Sequence, residues 1–188
     1  AVVTALAIGG IVYVKFAAEL ESSAKIKLAA LRDGRRDALE IYLRSIQQDL
    51  QILAKSHVTR EAILSFSTAW TAAGLSEGVE DPGTYLHKFY VTKNPRNPFQ
   101  KIGRDELQDA EDGSDYSALH LKFHPWLRAF HLDRGYDDLY LFSTEGNLIY
   151  SVAKHDDFAT NFLTGPWKDT DLAKAFRSAD GIQRNDYQ

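Results

Sequence analysis

The sequence predicts an α+β protein in which an N-terminal membrane helix continues into a long stalk helix and a helical region, followed by a small antiparallel sheet unit. Three observations predict it. Residues 1–14 carry no charge, and residues 16–56 contain no Pro and a single Gly, at position 34. Two β-rich runs, Asp138–Phe142 and Leu148–Val152, flank a short loop that holds Gly146, the pattern of an antiparallel hairpin.

The apolar opening ends at Lys15, with Tyr13 and Phe16 near the boundary as interfacial aromatics would be. A bilayer-crossing helix needs about 20 apolar residues, so this run is short. The chain also begins Ala-Val-Val-Thr and contains no Met. Both features are read here as a chain that starts inside the outer part of a membrane helix, residues 1–16. The alternatives are a signal-peptide core, for which no small-x-small cleavage pattern directly follows, and a buried helix of a soluble protein.

From Phe16 to Ser56 good helix formers dominate, which predicts one long helix that would reach about 60 Å. Leu39, Leu43, Ile46, Leu50 and Leu53 step by four and three and so share one face. Ile41, Tyr42 and Ile52 widen that seam, which suits either a homodimer or an intramolecular bundle. Upstream, Arg32, Arg35 and Arg36 read as a solvated face. A second helix is expected over Thr59–Ala73, with Ile63, Phe66 and Trp70 at helical spacing and Gly74 at its end. Leu75–Gly83 reads as a connector, and the prolines and asparagines of 92–100 as irregular chain. Tyr85–Val91 reads as a helical or extended turn with an aromatic face. A short helix is expected from Ser117 to His131, interrupted by Pro125. After the hairpin, Asp169 and Thr170 lead into a helix over Asp171–Ala179 closed by Gly181.

The chain has 188 residues, of which 44% are hydrophobic and 12% aromatic, enough apolar side chain to build a core. A disordered chain is thereby excluded. Its net charge is -4 without a basic stripe, so no nucleic-acid partner is expected. It has no Cys, which excludes disulfides, thiolate metal sites and a Cys nucleophile. No phosphate-binding Gly-rich loop and no G-x-S-x-G elbow occurs, so neither nucleotide chemistry nor hydrolysis is supported. The acidic loop 109–115 lacks the Gly and Glu of a calcium loop. His120, His124 and His131 could share a helical face as metal ligands, but no HExxH motif accompanies them, and structural histidines are the simpler assignment. No metal, no cofactor and no enzymatic centre is expected. The paired acids Asp137/Asp138 and Asp156/Asp157 are sequence neighbours that would point to opposite sides of a strand.

What remains is a binding constellation around the hairpin and the loop after it. Tyr140, Tyr150 and Trp167 offer aromatic walls, and Lys154, Asp157 and Asp169 offer charged anchors. Apolar walls with few polar anchors are the make-up of a small-molecule site. Asp157 in particular is expected to hold a ligand amino group.

The apolar opening, the helix Asp33–Ala54 and the hairpin Tyr136–Val152 together resemble the periplasmic sensor region of bacterial methyl-accepting chemotaxis proteins. Residues 135–188 look like the start of a Cache domain, the PAS-like extracytoplasmic sensor fold. The stretches His124-Pro-Trp-Leu-Arg128, Asp157–Asn161 and Gly165–Leu172 are similar to receptors with a helical membrane-distal portion, here residues 17–134. The resemblance implies an inner-membrane transducer whose periplasmic residues, 17–188, bind a small molecule and pass the signal through helices to a cytoplasmic module. It also implies that further strands and a second membrane helix follow. The contrasting expectation is a single-span accessory subunit of a membrane complex.

Overall fold

The computed structural model describes residues 2–73, 78, 81–94 and 103–185, with side chains from residue 13 to residue 179. The expected ends at Gly74 and within 75–80, and most of the irregular stretch 92–100, lie outside the described residues. The chain divides into two compact units, residues 1–55 and 56–188.

The first unit is one helix, α1 (Val2–Lys55). Its continuity follows from the absence of Pro and from helix-favouring residues, and ion pairs such as Lys25–Glu21 at 2.6 Å support it across one turn. Among the described residues no helix is long and apolar enough to cross a membrane. Leu39, Leu43 and Leu50 of the seam are exposed.

The second unit holds α2 (His57–Ala72), α3 (Pro82–His87), a π-helical turn (Lys88–Thr92), a 3-10 turn (Arg104–Glu106), α4 (Asp115–Arg134), β1 (Tyr140–Phe142), β2 (Leu148–Ser151) and α5 (Asp171–Asn185). Helix α2 begins at Ser56, whose hydroxyl accepts from the Thr59 amide at 3.4 Å. It buries Ala62, Phe66, Ala69 and Trp70. Helix α3 begins with Asp81 as cap and Pro82 in its first turn, so Gly83 is helical, not part of a connector. The expected turn over 85–91 is thus α3 running into the π-helical turn.

Helix α4 corrects the expected interruption at Pro125: it runs unbroken from a Ser114 cap to Gly135, which takes the left-handed φ of 67° that glycine tolerates best. Pro125 lies on the exposed side, and the opposite face buries Tyr116, His120, Phe123, His124, Leu127 and His131. Burial of that face outweighs one missing backbone bond. Helix α5 likewise runs past Gly181 to Asn185, beyond the expected end at Ala179.

Strands β1 and β2 pair antiparallel, Tyr140 opposite Ser151 and Leu141 opposite Tyr150, with a bulge between Leu141 and Phe142. The α+β class is what the structure shows, its only sheet among the described residues being this pair. The hairpin packs on α2, and α2 on α4. Phe66 sits at the junction, 5.1 Å from both the Tyr116 and Tyr150 rings. The loop after β2 turns back along the hairpin, where the Leu148 amide donates to the Thr160 carbonyl at 2.9 Å and the Phe162 amide to the Gly146 carbonyl at 2.8 Å. Phe162 then packs with Leu148 and Ala173, joining α5 to the sheet.

Candidate functional site

The sequence-derived candidates separate into three places. Tyr150 and Lys154 lie in the core, both fully buried. Tyr140 is half-buried, and its hydroxyl donates to Asp157 Oδ2 at 2.8 Å. One oxygen of Asp157, the residue expected to hold a ligand amine, is thus taken by a phenol, while its Oδ1 is buried with no partner among the described residues. Trp167 is 37% exposed and Asp169 is exposed, both on the turns before α5. Tyr150 and Lys154 come together; Trp167 and Asp169 do not join them.

Tyr150 and Lys154 meet a pair of residues that sequence reasoning treated as structural, His120 and His124. These are four apart on α4, so their rings stack with centroids 4.3 Å apart. The His124 Nε2–H donates to the Asp105 carbonyl at 2.7 Å, a partner that can only accept. Nδ1 of the same ring therefore accepts from the Tyr150 hydroxyl, also at 2.7 Å. The His120 Nδ1–H donates to the Gln108 carbonyl at 2.7 Å, and its buried Nε2 meets no partner among the described residues.

Lys154 occupies this core in a left-handed conformation, φ 54°, which a residue with a side chain adopts at a cost. Its ammonium donates to the Val152 carbonyl at 3.0 Å. Burial pulls its pKa down to about 7, against the attraction of Asp138 and Asp105. Burial and the nearby Lys154 push both imidazoles down, His124 to about 3, so they stay neutral. Asp138 is pushed up by burial, yet its carboxylate is held by the Ser151 hydroxyl and by the amides of Leu139, Val152 and Ala153. No group of three or more His, Asp or Glu that could hold a metal exists among the described residues.

Two clefts flank this core. One, of about 650 Å³, lies between Phe89, Leu121 and the segment 106–111. The imidazoles of α4 fasten the adjoining main chain through Asp105 and Gln108, and Arg128 pairs with the Asp105 carboxylate at 2.9 Å. The other, of about 500 Å³, lies between α3 and the returning loop and includes Trp70, Thr92, Asn147 and Asn161. Its base is closed tightly, since a Cβ on Gly83 would stand 2.5 Å from the Ala159 carbonyl oxygen. Ala159 itself has φ 62°. Sequence reasoning missed Trp70, Thr92, Asn147 and Asn161 as a group. The segment 81–83, expected as part of a connector, forms one wall as the start of α3.

No family model, curated protein or solved structure matches this chain.

Proposed function

We propose that this chain is the extracytoplasmic ligand-sensing region of a transmembrane receptor of the chemotaxis-transducer type, with a PAS-like sensor unit and the long helix as its output. The observation that carries this reading is the cleft of about 500 Å³ between α3 and the loop that returns across the hairpin. Its size is that of small-molecule sites, which span about 300–1,000 Å³. The returning loop carries the expected anchors Lys154, Asp157 and Asp169, but the cleft is lined by its residues Ala159, Thr160, Asn161 and Pro166 instead. Two features add support. The core of the same unit buries Lys154 and an imidazole nitrogen that has no partner among the described residues, and both carry a cost that a rearrangement would relieve. The sensor unit also follows directly, in sequence, on a helix of 54 residues. In the same proposal, residues 1–16 anchor the chain in the bacterial inner membrane and α1 pairs with a second copy.

A thermal-shift screen of the chain against amino acids, organic acids, amines and sugars tests the reading. A saturable rise in the melting midpoint with one chemical class is the expected result, since a ligand at 100 times its dissociation constant adds about 2.7 kcal/mol. No response to any class would overturn it. The exposed apolar residues Leu39, Ile41, Tyr42 and Leu43 of α1 favour a second reading, an accessory subunit that docks on a membrane complex. Such a subunit would co-purify with its partner chain and give no small-molecule response.

A further inference from the structure

We propose that the cleft between α3 and the returning loop takes a neutral, polyhydroxylated ligand, a monosaccharide or sugar alcohol. The inference rests on the sensory reading above and names the chemistry of its ligand. It comes from sorting the cleft's polar groups into those already committed and those left over.

Its charged groups are committed. Asp81 caps α3, its two oxygens accepting from the Gly83 amide at 3.3 Å, the Thr84 amide at 2.8 Å and the Thr84 hydroxyl at 2.5 Å. The His87 Nε2–H donates to the Asp156 carbonyl at 3.3 Å. The Lys88 ammonium lies 5.3 Å from the centre of the Phe89 ring. A ligand ammonium would meet an Asp81 carboxylate that already accepts three hydrogen bonds, and a ligand carboxylate would compete with the Phe89 ring for Lys88.

Among the neutral groups, the Asn147 amide nitrogen and the Thr92 hydroxyl are left over, whereas Asn161 is committed, its Oδ1 accepting from the Leu163 and Thr164 amides and the Thr164 hydroxyl. Asn161 donates one amide hydrogen to Asn147 Oδ1 at 2.8 Å and the other to the Glu145 carbonyl at 2.9 Å. That bond settles which end of the Asn147 amide is oxygen and leaves its NH2 group as a donor. Thr92 contributes an exposed hydroxyl, and Trp70 an aromatic wall. Amide and hydroxyl donors beside an indole match the two sides of a sugar, its hydroxyl rim and its apolar C–H face. The cleft is also preformed. The backbones of Gly83 and Ala159 approach so closely that no Cβ would fit between them, which packs α3 against the loop at this end of the cleft.

Titration calorimetry of the whole 188-residue chain with glucose, galactose and mannitol, beside acetate, glycine and 1,4-diaminobutane, tests the proposal. Saturable binding of at least one hydroxylated probe is expected, with an affinity that is the same at about 0.05 and 0.5 M salt because no ion pair is involved. Asn147→Asp keeps the oxygen that accepts from Asn161 and removes the donor. It should weaken binding at least tenfold, about 1.4 kcal/mol, with the melting midpoint of the free protein unchanged. Should Asn147→Asp fail to fold, Thr92→Val, on the exposed turn, must weaken binding in its place. Unaltered sugar affinity in the folded variant overturns the assignment to this cleft. Binding of only a charged probe overturns the ligand class and leaves the sensory reading standing, whereas silence from these probes and from the wider screen removes both.

Discussion

Lys154 shows what a single residue can cost a fold. It is fully buried, sits at φ 54° and has one carbonyl as hydrogen-bond partner for its ammonium. Its pKa falls from 10.5 unfolded to about 7 folded. A lowered lysine pKa is a penalty that is fully present below pH 7 and is relieved as pH rises from 7 to 10.5, where the unfolded chain binds the extra proton. Asp138 holds four donors of its own and does not depend on the lysine. Lys154→Met should therefore raise stability by about 1–4 kcal/mol at pH 6. The gain should shrink steadily toward pH 10, because the wild-type penalty disappears there. Urea unfolding at both pH values checks the sign, and a variant that is less stable at pH 6 would show that the ammonium is a net support.

At the scale of elements, what could be read from the sequence tracks how locally each element is determined. The hairpin was legible because β-branched and aromatic runs on either side of Gly146 specify it within fifteen residues or so. Helix α1 was legible because nothing in it breaks a helix. The continuity of α4 was not, because local reasoning at Pro125 sees only the missing N–H, whereas the helix is held by the face that carries Phe123, His124 and Leu127. The site was legible in part for the same reason. Tyr150 and Lys154 lie four apart in sequence, but the imidazole that Tyr150 bonds and the carbonyl that fixes that imidazole belong to His124 and Asp105, and only the tertiary fold brings these together. Asn147 and Asn161 face each other because the loop turns back, a return that no local pattern encodes. It follows that Pro125 is tolerated, not required. Pro125→Ala should restore the backbone bond to the Leu121 carbonyl and raise stability by about 1–3 kcal/mol, read from the denaturation midpoint at unchanged m-value. A loss of stability would mean that the ring itself packs favourably.

At the scale of the whole molecule, the unusual feature is how much apolar side chain α1 leaves in water. Leu39 is 56% exposed, Leu43 54% and Leu50 60%, and their spacing of four and seven keeps them on one stripe. A helix of 54 residues with such a stripe gains by pairing it, at about 25 cal/mol for each Å² of apolar surface removed from water. Arg36 pairs with Glu40 along the same helix at 3.6 Å. In the dimer proposed above the partner of this stripe is a second α1, an arrangement that would be symmetric and self-complementary. Sedimentation equilibrium of the chain should therefore give a dimer at micromolar concentration. Leu43→Glu with Leu50→Glu would set four carboxylates into the seam of each dimer and should weaken association at least a hundredfold, about 2.7 kcal/mol. The melting of residues 56–188 should stay the same in that variant, because their core contains neither position. A wild-type chain that remains monomeric at about 100 μM, where the dimer would hold more than 8 kcal/mol at micromolar affinity, would refute pairing through α1.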